Sequence, residues 1–242
     1  MPDYATSPVR VPLLDGQSLQ AALAVPDGAG PYPGVLVIHE VFGLNDDMRR
    51  IARRFADNDY VALAVSLYSH GVKPLCLARV LRDHQRGCTG PTLDDIDAAR
   101  RFLSDRPGVD PDRTAVIGFC MGGGFALAYG TSGRVRAASV NYGAVPEQQS
   151  ALDGVCPVVG SYGGLDTRFL PAAERLEKHL TALGVPHDVK VYPGVGHSFL
   201  SYDNVPRWLA RLPSPMTMGY SEEAAEDAWS RILAFFAEHV RA

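Results

Sequence analysis

Hydrophobic residues along the chain fall into short continuous runs that are separated by longer amphipathic stretches. The runs at 34–39 and 61–67 are almost entirely apolar, which is the pattern of strands buried on both faces. Further runs of strand length lie at 113–117, 136–140, 157–161 and 187–192. Strands that alternate with helices form a mostly parallel sheet with helices on both faces. We therefore predict an α/β fold.

Stretches with helical spacing of apolar residues lie between these strands, at 45–58, 92–104, 121–130, 168–183 and 221–240. Asn45 has a residue type that caps helix N-termini, and Thr92 followed by Asp95 is typical of a helix start. Residues 10–25 instead predict an antiparallel hairpin that turns at Asp15-Gly16. We place this hairpin at the edge of the sheet.

Two segments interrupt the alternation of strands and helices. Residues 70–91 are basic and contain glycines, and residues 201–219 contain three prolines and Trp208. Long loops in compact α/β domains commonly form lids or binding walls. For either segment, surface packing without a functional role is an equally good interpretation.

Composition and length place the chain among folded globular proteins. Its 242 residues suit one α/β domain, so we predict a single domain over 1–242. Hydrophobic content of 46% excludes a mainly disordered chain, and the net charge of −4 predicts no binding to nucleic acid or anionic membranes. No secretory signal and no apolar run of membrane-spanning length is visible, so we expect a cytoplasmic protein.

The four cysteines lie in unlike contexts, with no C-x-x-C spacing. This argues against a zinc site and against a redox pair, and we expect no bound metal. Cys76, Cys88 and Cys156 are expected to be small, partly buried residues. Cys120 differs because it lies at the centre of a glycine-rich motif.

That motif is Gly118-Phe119-Cys120-Met121-Gly122, between a predicted strand and a predicted helix. A nucleophile on such a sharp turn needs small neighbours, so that strand and helix can approach closely. The helix N-terminus then supplies N–H groups and partial positive charge that favour a thiolate. We predict that Cys120 is a catalytic nucleophile.

An acid and a histidine follow in the order that this type of site requires. Asp166 comes after the strand at 157–161, and His197 after the strand at 187–192. Both therefore lie at carboxyl ends of strands, where ligands bind open α/β sheets. We predict that His197 accepts the thiol proton and that Asp166 fixes its tautomer and charge.

The segment His39-Glu40-Val41-Phe42-Gly43 begins like a zinc-protease helix, but its fifth residue is not histidine and it follows a strand. We interpret it as an oxyanion loop, in which the N–H of Val41 acts together with that of Met121. Glu40 is then a carboxylate close to the thiol. His39 is expected to have a structural role beside the loop.

Together these motifs resemble those of the dienelactone hydrolase family of α/β-hydrolases. The matching features are the segment at 39–45, the cysteine motif at 118–123, Asn141-Tyr142-Gly143, the G-G-x-D at 163–166 and the G-H-S-F at 196–199. The resemblance implies a cofactor-free hydrolase with Cys120, Asp166 and His197 as the catalytic triad. It also implies that Glu40 contacts the resting thiol and helps to generate the thiolate.

The chain departs from the family at two positions. The resemblance implies two arginines that hold a substrate carboxylate, and here these positions are occupied by His70 and Ser201. Arginines of the two irregular segments are candidate replacements, namely Arg79, Arg82, Arg86 and Arg207. The candidate substrate contacts are Phe42, Tyr68, His70, Tyr142 and Ser198.

We therefore expect a hydrolase of small carboxylic esters or lactones that acts through a thioester on Cys120, as a monomer or small homo-oligomer. One alternative keeps the triad but acts as a thioesterase or acyltransferase. Another is a non-catalytic binding protein on the hydrolase scaffold, since a fold does not determine function.

Overall fold

The computed structural model describes residues 5–202 and 219–241. Within these ranges one sheet has eight strands: β1 (Ser7–Pro12), β2 (Ser18–Ala24), β3 (Tyr32–Ile38), β4 (Val61–Val65), β5 (Val109–Phe119), β6 (Ala137–Asn141), β7 (Val158–Gly163) and β8 (His187–Tyr192). Their order across the sheet is β1-β2-β4-β3-β5-β6-β7-β8. The first three strands in this order pair antiparallel, and all later pairs are parallel. The mostly parallel sheet and its edge hairpin are thus confirmed.

Helices cover this sheet: α1 (Asp46–Ala56), α2 (Lys73–Gln85), α3 (Pro91–Ser104), α4 (Met121–Tyr129), α5 (Leu170–Leu183) and α6 (Glu222–Val240). α1 and α6 pack on each other through Phe55, Trp229 and Phe236, whereas α2, α3 and α4 form a second group. All residues of β4 and β6 are buried, which requires cover on both faces. None of the helices in the described ranges is long and apolar enough to cross a membrane.

The prediction that residues 70–91 form an irregular segment is wrong, because α2 occupies most of it. Only Cys76, Val80 and Asp83 among the thirteen residues of this helix are buried. Cys76, Leu77, Val80 and Leu81 have helical spacing, but this apolar stretch is short and lies between Gly71 and Gly87, so the helix was not recognised.

The predicted start of α3 is also corrected. The helix begins at Pro91 without a capping side chain, and the hydroxyl of Thr92 donates a 2.7 Å hydrogen bond to Asp83 at the end of α2. Asn45, by contrast, caps α1 as predicted, since its side chain accepts a 3.0 Å hydrogen bond from the N–H of Met48.

The second irregular segment, 201–219, lies mostly outside the described residues. Positions 203–218, and with them Arg207 and Trp208, are not described. The prediction that this segment forms a lid or binding wall stays a prediction.

The parallel strands place their carboxyl ends along one edge of the sheet. β3 ends at Ile38, β5 at Phe119 and β7 at Gly163. The segments that follow these strands therefore meet at this edge, and they carry the residues singled out in the sequence.

Candidate active site

Cys120 stands on the sharp turn between β5 and α4. Its backbone has φ +54° and ψ −116°, a conformation that a residue with a side chain rarely adopts. Its N–H donates a 3.0 Å hydrogen bond to the carbonyl of Asn141 at the end of β6. The neighbouring strand thus holds the strained turn in place, and the thiol lies at the N-terminus of α4.

Two glycines make this turn possible. A Cβ added to Gly118 would overlap the carbonyl oxygen of Gly122, the second residue of α4. A Cβ on Gly122 would overlap the carbonyl of Ile38 and lie 2.6 Å from that of His39. The start of α4 therefore packs directly on the backbone at the end of β3, and the turn lies beside the loop at 39–43.

Asp166 and His197 are brought together by two crossing loops. A Cβ on Gly163 would overlap the carbonyl of Gly196, and the N–H of Leu165 donates a 2.9 Å hydrogen bond to the carbonyl of Val195. The loops are therefore in backbone contact. The Nδ1 atom of His197 lies 2.5 Å from Oδ2 of Asp166, and both side chains are 1% exposed.

This environment favours the charged form of His197. Burial opposes protonation of the imidazole, but the hydrogen bond to Asp166 and the negative charge available at Cys120 outweigh it and raise the pKa of His197 to about 10. Nε2 of His197 is buried, and because Nδ1 faces Asp166, it is the ring nitrogen that is left to interact with Cys120.

The ring of His197 is held from two sides. The ring of Tyr142 lies 4.9 Å from the imidazole centroid, and the ring of Phe169 lies 5.0 Å from it. Phe169 was not identified in the sequence. The available signal in the sequence was its position three residues after Asp166. In the structure, the Phe169 N–H donates a 3.3 Å hydrogen bond to Oδ1 of Asp166.

His39 fixes the peptide plane of the loop at 39–43. Its Nδ1 lies 2.6 Å from the carbonyl of Glu40, and its Nε2 accepts a 3.0 Å hydrogen bond from the N–H of Leu67. Nδ1 therefore carries the hydrogen, and the Glu40 carbonyl points toward His39. In a trans peptide the N–H points the opposite way. The N–H of Val41 is thus directed away from His39 by a fixed peptide.

A second pair of groups completes this arrangement. The hydroxyl of Tyr68 donates a 2.9 Å hydrogen bond to the carbonyl of Val41, which fixes the next peptide of the loop. Met121 is the first residue of α4, so its N–H has no partner within the helix. The N–H groups of Val41 and Met121 are suited to hold a developing oxyanion, and the partial positive charge of the helix N-terminus adds to this.

Glu40 is buried in a polar cluster that the sequence did not reveal. Its Oε1 lies 3.0 Å from the hydroxyl of Tyr142 and 2.7 Å from that of Ser201. The two hydroxyl oxygens are 2.9 Å apart. Burial raises the pKa of Glu40, and the hydrogen bond from Ser201 and the charge of His197 oppose that shift without cancelling it. Ser201 is therefore a partner of Glu40.

Two further candidate substrate contacts, Phe42 and Ser198, differ in how deeply they are buried. Phe42 is half-buried in the loop at 39–43, and Ser198 is buried directly after His197. Ser198 has φ +60°, and its hydroxyl has no hydrogen-bond partner among the described residues. An unsatisfied buried hydroxyl in strained backbone next to the base is available to a ligand.

Two of the arginines that were candidate replacements for the carboxylate-binding arginines are engaged within the protein. Nε2 of His70 lies 2.9 Å from Asp95, which also pairs with Arg79 at 2.7 Å. Arg82 pairs with Asp83 at 3.1 Å. His70, Arg79 and Arg82 are thus each bound to a carboxylate of the protein itself.

The other three cysteines differ from Cys120 in their surroundings. All four are free, but Cys76 and Cys88 are buried. Burial raises the pKa of both Cys88 and Cys156 to about 12, so these two remain thiols at neutral pH. Cys120 alone among them lies at a helix N-terminus next to a histidine.

Comparisons with known proteins show the family to which the chain belongs. The sequence model of the dienelactone hydrolase family matches residues 19–240. A curated protein of Yersinia pestis, named "Putative carboxymethylenebutenolidase", is 32% identical over 93% of this chain and 85% of its own length.

Solved structures share the fold. A dienelactone hydrolase-like promiscuous phosphotriesterase from metagenomic libraries has a TM-score of 0.81 at 24% identity and covers 97% of this chain and 98% of its own. MGS-M1, an α/β-hydrolase enzyme from a Medee basin deep-sea metagenome library, has a TM-score of 0.66 at 17% identity and covers 96% and 98%. The chain has the α/β-hydrolase fold and belongs to the dienelactone hydrolase family.

Proposed function

We propose that the protein hydrolyses small carboxylic esters or lactones through a thioester on Cys120, with His197 as the base and Asp166 as the residue that orients it. The observation that carries this proposal is the 2.5 Å contact between His197 Nδ1 and Asp166, at the sheet edge where Cys120 directly precedes α4. Membership of a hydrolase family supports the same chemistry.

The first half-reaction acylates the thiol. His197 holds the thiol proton as an imidazolium, and the thiolate attacks the carbonyl carbon of the substrate. The carbonyl oxygen becomes an oxyanion that accepts hydrogen bonds from Val41 and Met121, each worth roughly 3–4 kcal/mol of barrier lowering by comparison with known oxyanion holes. The carbon–oxygen bond to the leaving group breaks, and His197 gives its proton to the departing alkoxide.

The second half-reaction releases the acid. Neutral His197 accepts a proton from water while the water oxygen attacks the thioester carbon. The carbon–sulfur bond then breaks, the thiolate is restored, and the imidazolium beside Asp166 is regenerated. With a lactone substrate, the alcohol and the acid stay in one product molecule.

Side chains around the triad are proposed to position the substrate. Ser198 offers a buried hydroxyl without a partner among the described residues. Phe42 belongs to the oxyanion loop, and the hydroxyl of Tyr68 donates a hydrogen bond to this loop at Val41. Glu40, which directly precedes Val41, is proposed to influence the ionisation of the Cys120 thiol. His70, although it pairs with Asp95, is half-buried beyond β4 and keeps its place among the proposed contacts.

Alkylation with iodoacetamide, followed by mass spectrometry, tests the nucleophile. We expect Cys120 to be labelled at least tenfold faster than Cys76, Cys88 or Cys156, because the thiolate is the form that reacts. Cys120→Ala should lower ester hydrolysis by roughly a thousandfold or more. Cys156→Ala is the matched control, since this thiol is also partly buried but lies outside the site.

Equal labelling of all four cysteines would contradict an activated thiolate at Cys120. Turnover of a panel of lactones, aryl esters and acyl thioesters separates ester or lactone hydrolysis from the thioesterase alternative. If Cys120→Ala left every activity unchanged, the protein would be a binding protein on this scaffold.

A further inference from the structure

One residue at the end of β6 contacts both sides of the turn at Cys120. In the parallel pairing of β5 with β6, Asn141 lies opposite Phe119, the residue directly before Cys120. The carbonyl of Asn141 accepts the 3.0 Å hydrogen bond from the Cys120 N–H. Its side-chain amide donates a 3.1 Å hydrogen bond to the carbonyl of Gly118. Asn141 thus holds the chain on either side of Phe119, with its backbone and with its side chain.

The orientation of the Asn141 amide follows from its neighbours. Reversing the amide would place Oδ1 where the nitrogen lies, 3.1 Å from the carbonyl oxygen of Gly118, and two acceptors would then face each other. The NH2 group therefore faces Gly118, and its other hydrogen is donated to the hydroxyl of Ser139 at 3.1 Å. The side chain is fully buried, so water does not compete for these hydrogen bonds.

The turn at Cys120 needs such support because its backbone is strained. Cys120 has φ +54°, and a residue with a side chain keeps such a conformation only where surrounding contacts enforce it. Besides the two contacts with Asn141, the N–H of Gly123 donates a 3.0 Å hydrogen bond to the Cys120 carbonyl. Of these three hydrogen bonds, only the one to Gly118 is made by a side chain. It is therefore the one that depends on the residue type at position 141.

The two residues that follow Asn141 connect the same segment to the proposed base and to α4. The ring of Tyr142 lies 4.9 Å from the imidazole of His197. A Cβ on Gly143 would lie 2.6 Å from the carbonyl carbon of Gly123, so the segment is in backbone contact with α4. Three consecutive residues thus contact the turn at Cys120, the proposed base and the helix that follows the turn. The segment 141–143 therefore links the parts of the site that must act together.

We propose that Asn141 is a positioning residue for Cys120: its side-chain amide holds the carbonyl of Gly118 and so keeps the thiol at the N-terminus of α4. The inference rests on the proposed function, in which Cys120 attacks the substrate, and Asn141 acts through the turn rather than on the substrate. A thiol displaced from this place loses the stabilisation that the helix N-terminus and the imidazolium of His197 give to its thiolate. Loss of the amide should therefore lower both thiolate formation and catalysis.

The pH dependence of Cys120 alkylation by iodoacetamide tests this role, with mass spectrometry to follow each cysteine separately. Asn141→Ala should slow the alkylation of Cys120 at pH 7 by about tenfold and move the rise in rate to higher pH, because less of the thiol is ionised. The kcat for ester hydrolysis should fall by about a hundredfold, since a misplaced reacting atom slows the chemical step. KM should change little, because the substitution alters none of the proposed substrate contacts.

Asn141→Asp keeps the shape of the side chain and carries the same test if Asn141→Ala does not fold. Its carboxylate would bring an acceptor against the Gly118 carbonyl and a negative charge near the thiol, so alkylation at pH 7 should be slower still. Ser139→Ala is the matched control, since it removes the other partner of the Asn141 amide and leaves the contact with Gly118. It should keep the wild-type pH profile and kcat.

A purely structural role for Asn141 would lower the free energy of unfolding and leave the alkylation profile of the folded protein unchanged. An unchanged profile in either Asn141 variant would therefore overturn the proposal, and so would an equal effect of Ser139→Ala. The wild type separates this inference from the proposed function. If its Cys120 were labelled no faster than Cys156, both would fail. If Cys120 were labelled fast in the wild type and equally fast in the Asn141 variants, only the role of Asn141 would fail.

Discussion

Three of the six non-glycine residues with positive φ in the described ranges lie at the candidate active site. Cys120, Tyr142 and Ser198 have φ values of +54°, +42° and +60°. Each such residue costs about 1–3 kcal/mol relative to relaxed backbone. Hydrogen bonds from neighbouring strands hold two of them, since Cys120 donates to the carbonyl of Asn141 and Tyr142 to that of Ser161. These conformations position the proposed nucleophile Cys120, the ring of Tyr142 against the imidazole of His197, and the buried hydroxyl of Ser198.

The contact between Asp166 and His197 gives a prediction at this scale. Asp166→Asn keeps the size of the side chain but removes the charge that favours the Nδ1–H tautomer and the imidazolium. We expect kcat for ester hydrolysis to fall by roughly 10³–10⁴-fold, as for the equivalent change in other triads. Steady-state kinetics measure this effect.

The control is Asp188→Asn, which alters an ion pair with Arg231 at 2.6 Å, away from the triad. It should leave kcat within a few-fold of the wild type. A similar loss in both variants would contradict a specific role for Asp166.

At the scale of elements, the packing of α4 against β3 decides whether the candidate site can form. Gly118 and Gly122 let the helix start in backbone contact with the strand, so that the first N–H of α4 and the loop at 39–43 share one side of Cys120. Burial accompanies this contact, because residues 121–127 of the helix are all buried. The glycines therefore link local turn geometry to the placement of the oxyanion loop.

Gly122→Ala tests this close approach. Alanine favours a helix interior by about 1 kcal/mol over glycine, but its Cβ would overlap the carbonyl of Ile38. Since backbone on both sides cannot easily move, we expect a net loss of about 3 kcal/mol in the free energy of unfolding. Urea denaturation measures the loss, and slower alkylation of Cys120 should accompany it.

Gly160→Ala in β7 is the matched control. Its Cβ would meet the side-chain atoms of Leu176 at 3.1 Å and Val189 at 3.3 Å, which can shift. We expect a loss of about 1 kcal/mol or less. Equal losses for the two variants would mean that close backbone packing at Gly122 is not special.

Elements with a strong local signal were predicted within a few residues of their observed ends. The buried runs at 34–39 and 61–67 correspond to β3 and β4, and the run at 187–192 coincides with β8. The helix α2 was missed because its buried apolar positions span only the short stretch from Cys76 to Leu81. Periodicity reports burial, so an element that buries little is hard to predict.

At the scale of the whole molecule, one buried histidine between the neighbouring strands β3 and β4 makes the stability of the fold depend on pH. His39, at the end of β3, accepts a hydrogen bond from Leu67 just after β4, and burial lowers its pKa to about 4. An unfolded histidine binds a proton near pH 6.5. The folded state therefore loses stability as the pH falls below about 6.5, and the loss continues until about pH 4.

We expect His39 to account for a decrease of about 2 kcal/mol in the free energy of unfolding between pH 7 and pH 5. Urea denaturation at both pH values measures it. His39→Gln should be less stable at pH 7 but should lack this part of the pH dependence. His239→Gln, at the end of α6, is the control and should keep the wild-type dependence.

If His39→Gln showed the same decrease as the wild type, His39 would not be a neutral buried residue. Protonation would add a hydrogen to Nε2, so the hydrogen bond from the Leu67 N–H would be lost, while Nδ1 would still donate to the Glu40 carbonyl.

The sequence by itself determined the α/β class, the strand-turn-helix around Cys120 and the chain order of the three proposed triad residues. These features depend on residues close together in the chain, and glycines at a sharp turn leave a local pattern. It did not determine which side chains meet across the site.

Only the tertiary structure decided that Glu40 meets Tyr142, 102 residues away, and Ser201, 161 residues away. In the same way it paired His70 with Asp95, so that a candidate substrate contact is held by the protein itself. The physical reason is that strand order brings distant segments to one edge of the sheet. Hydrogen bonds between such segments follow from geometry that no local pattern encodes.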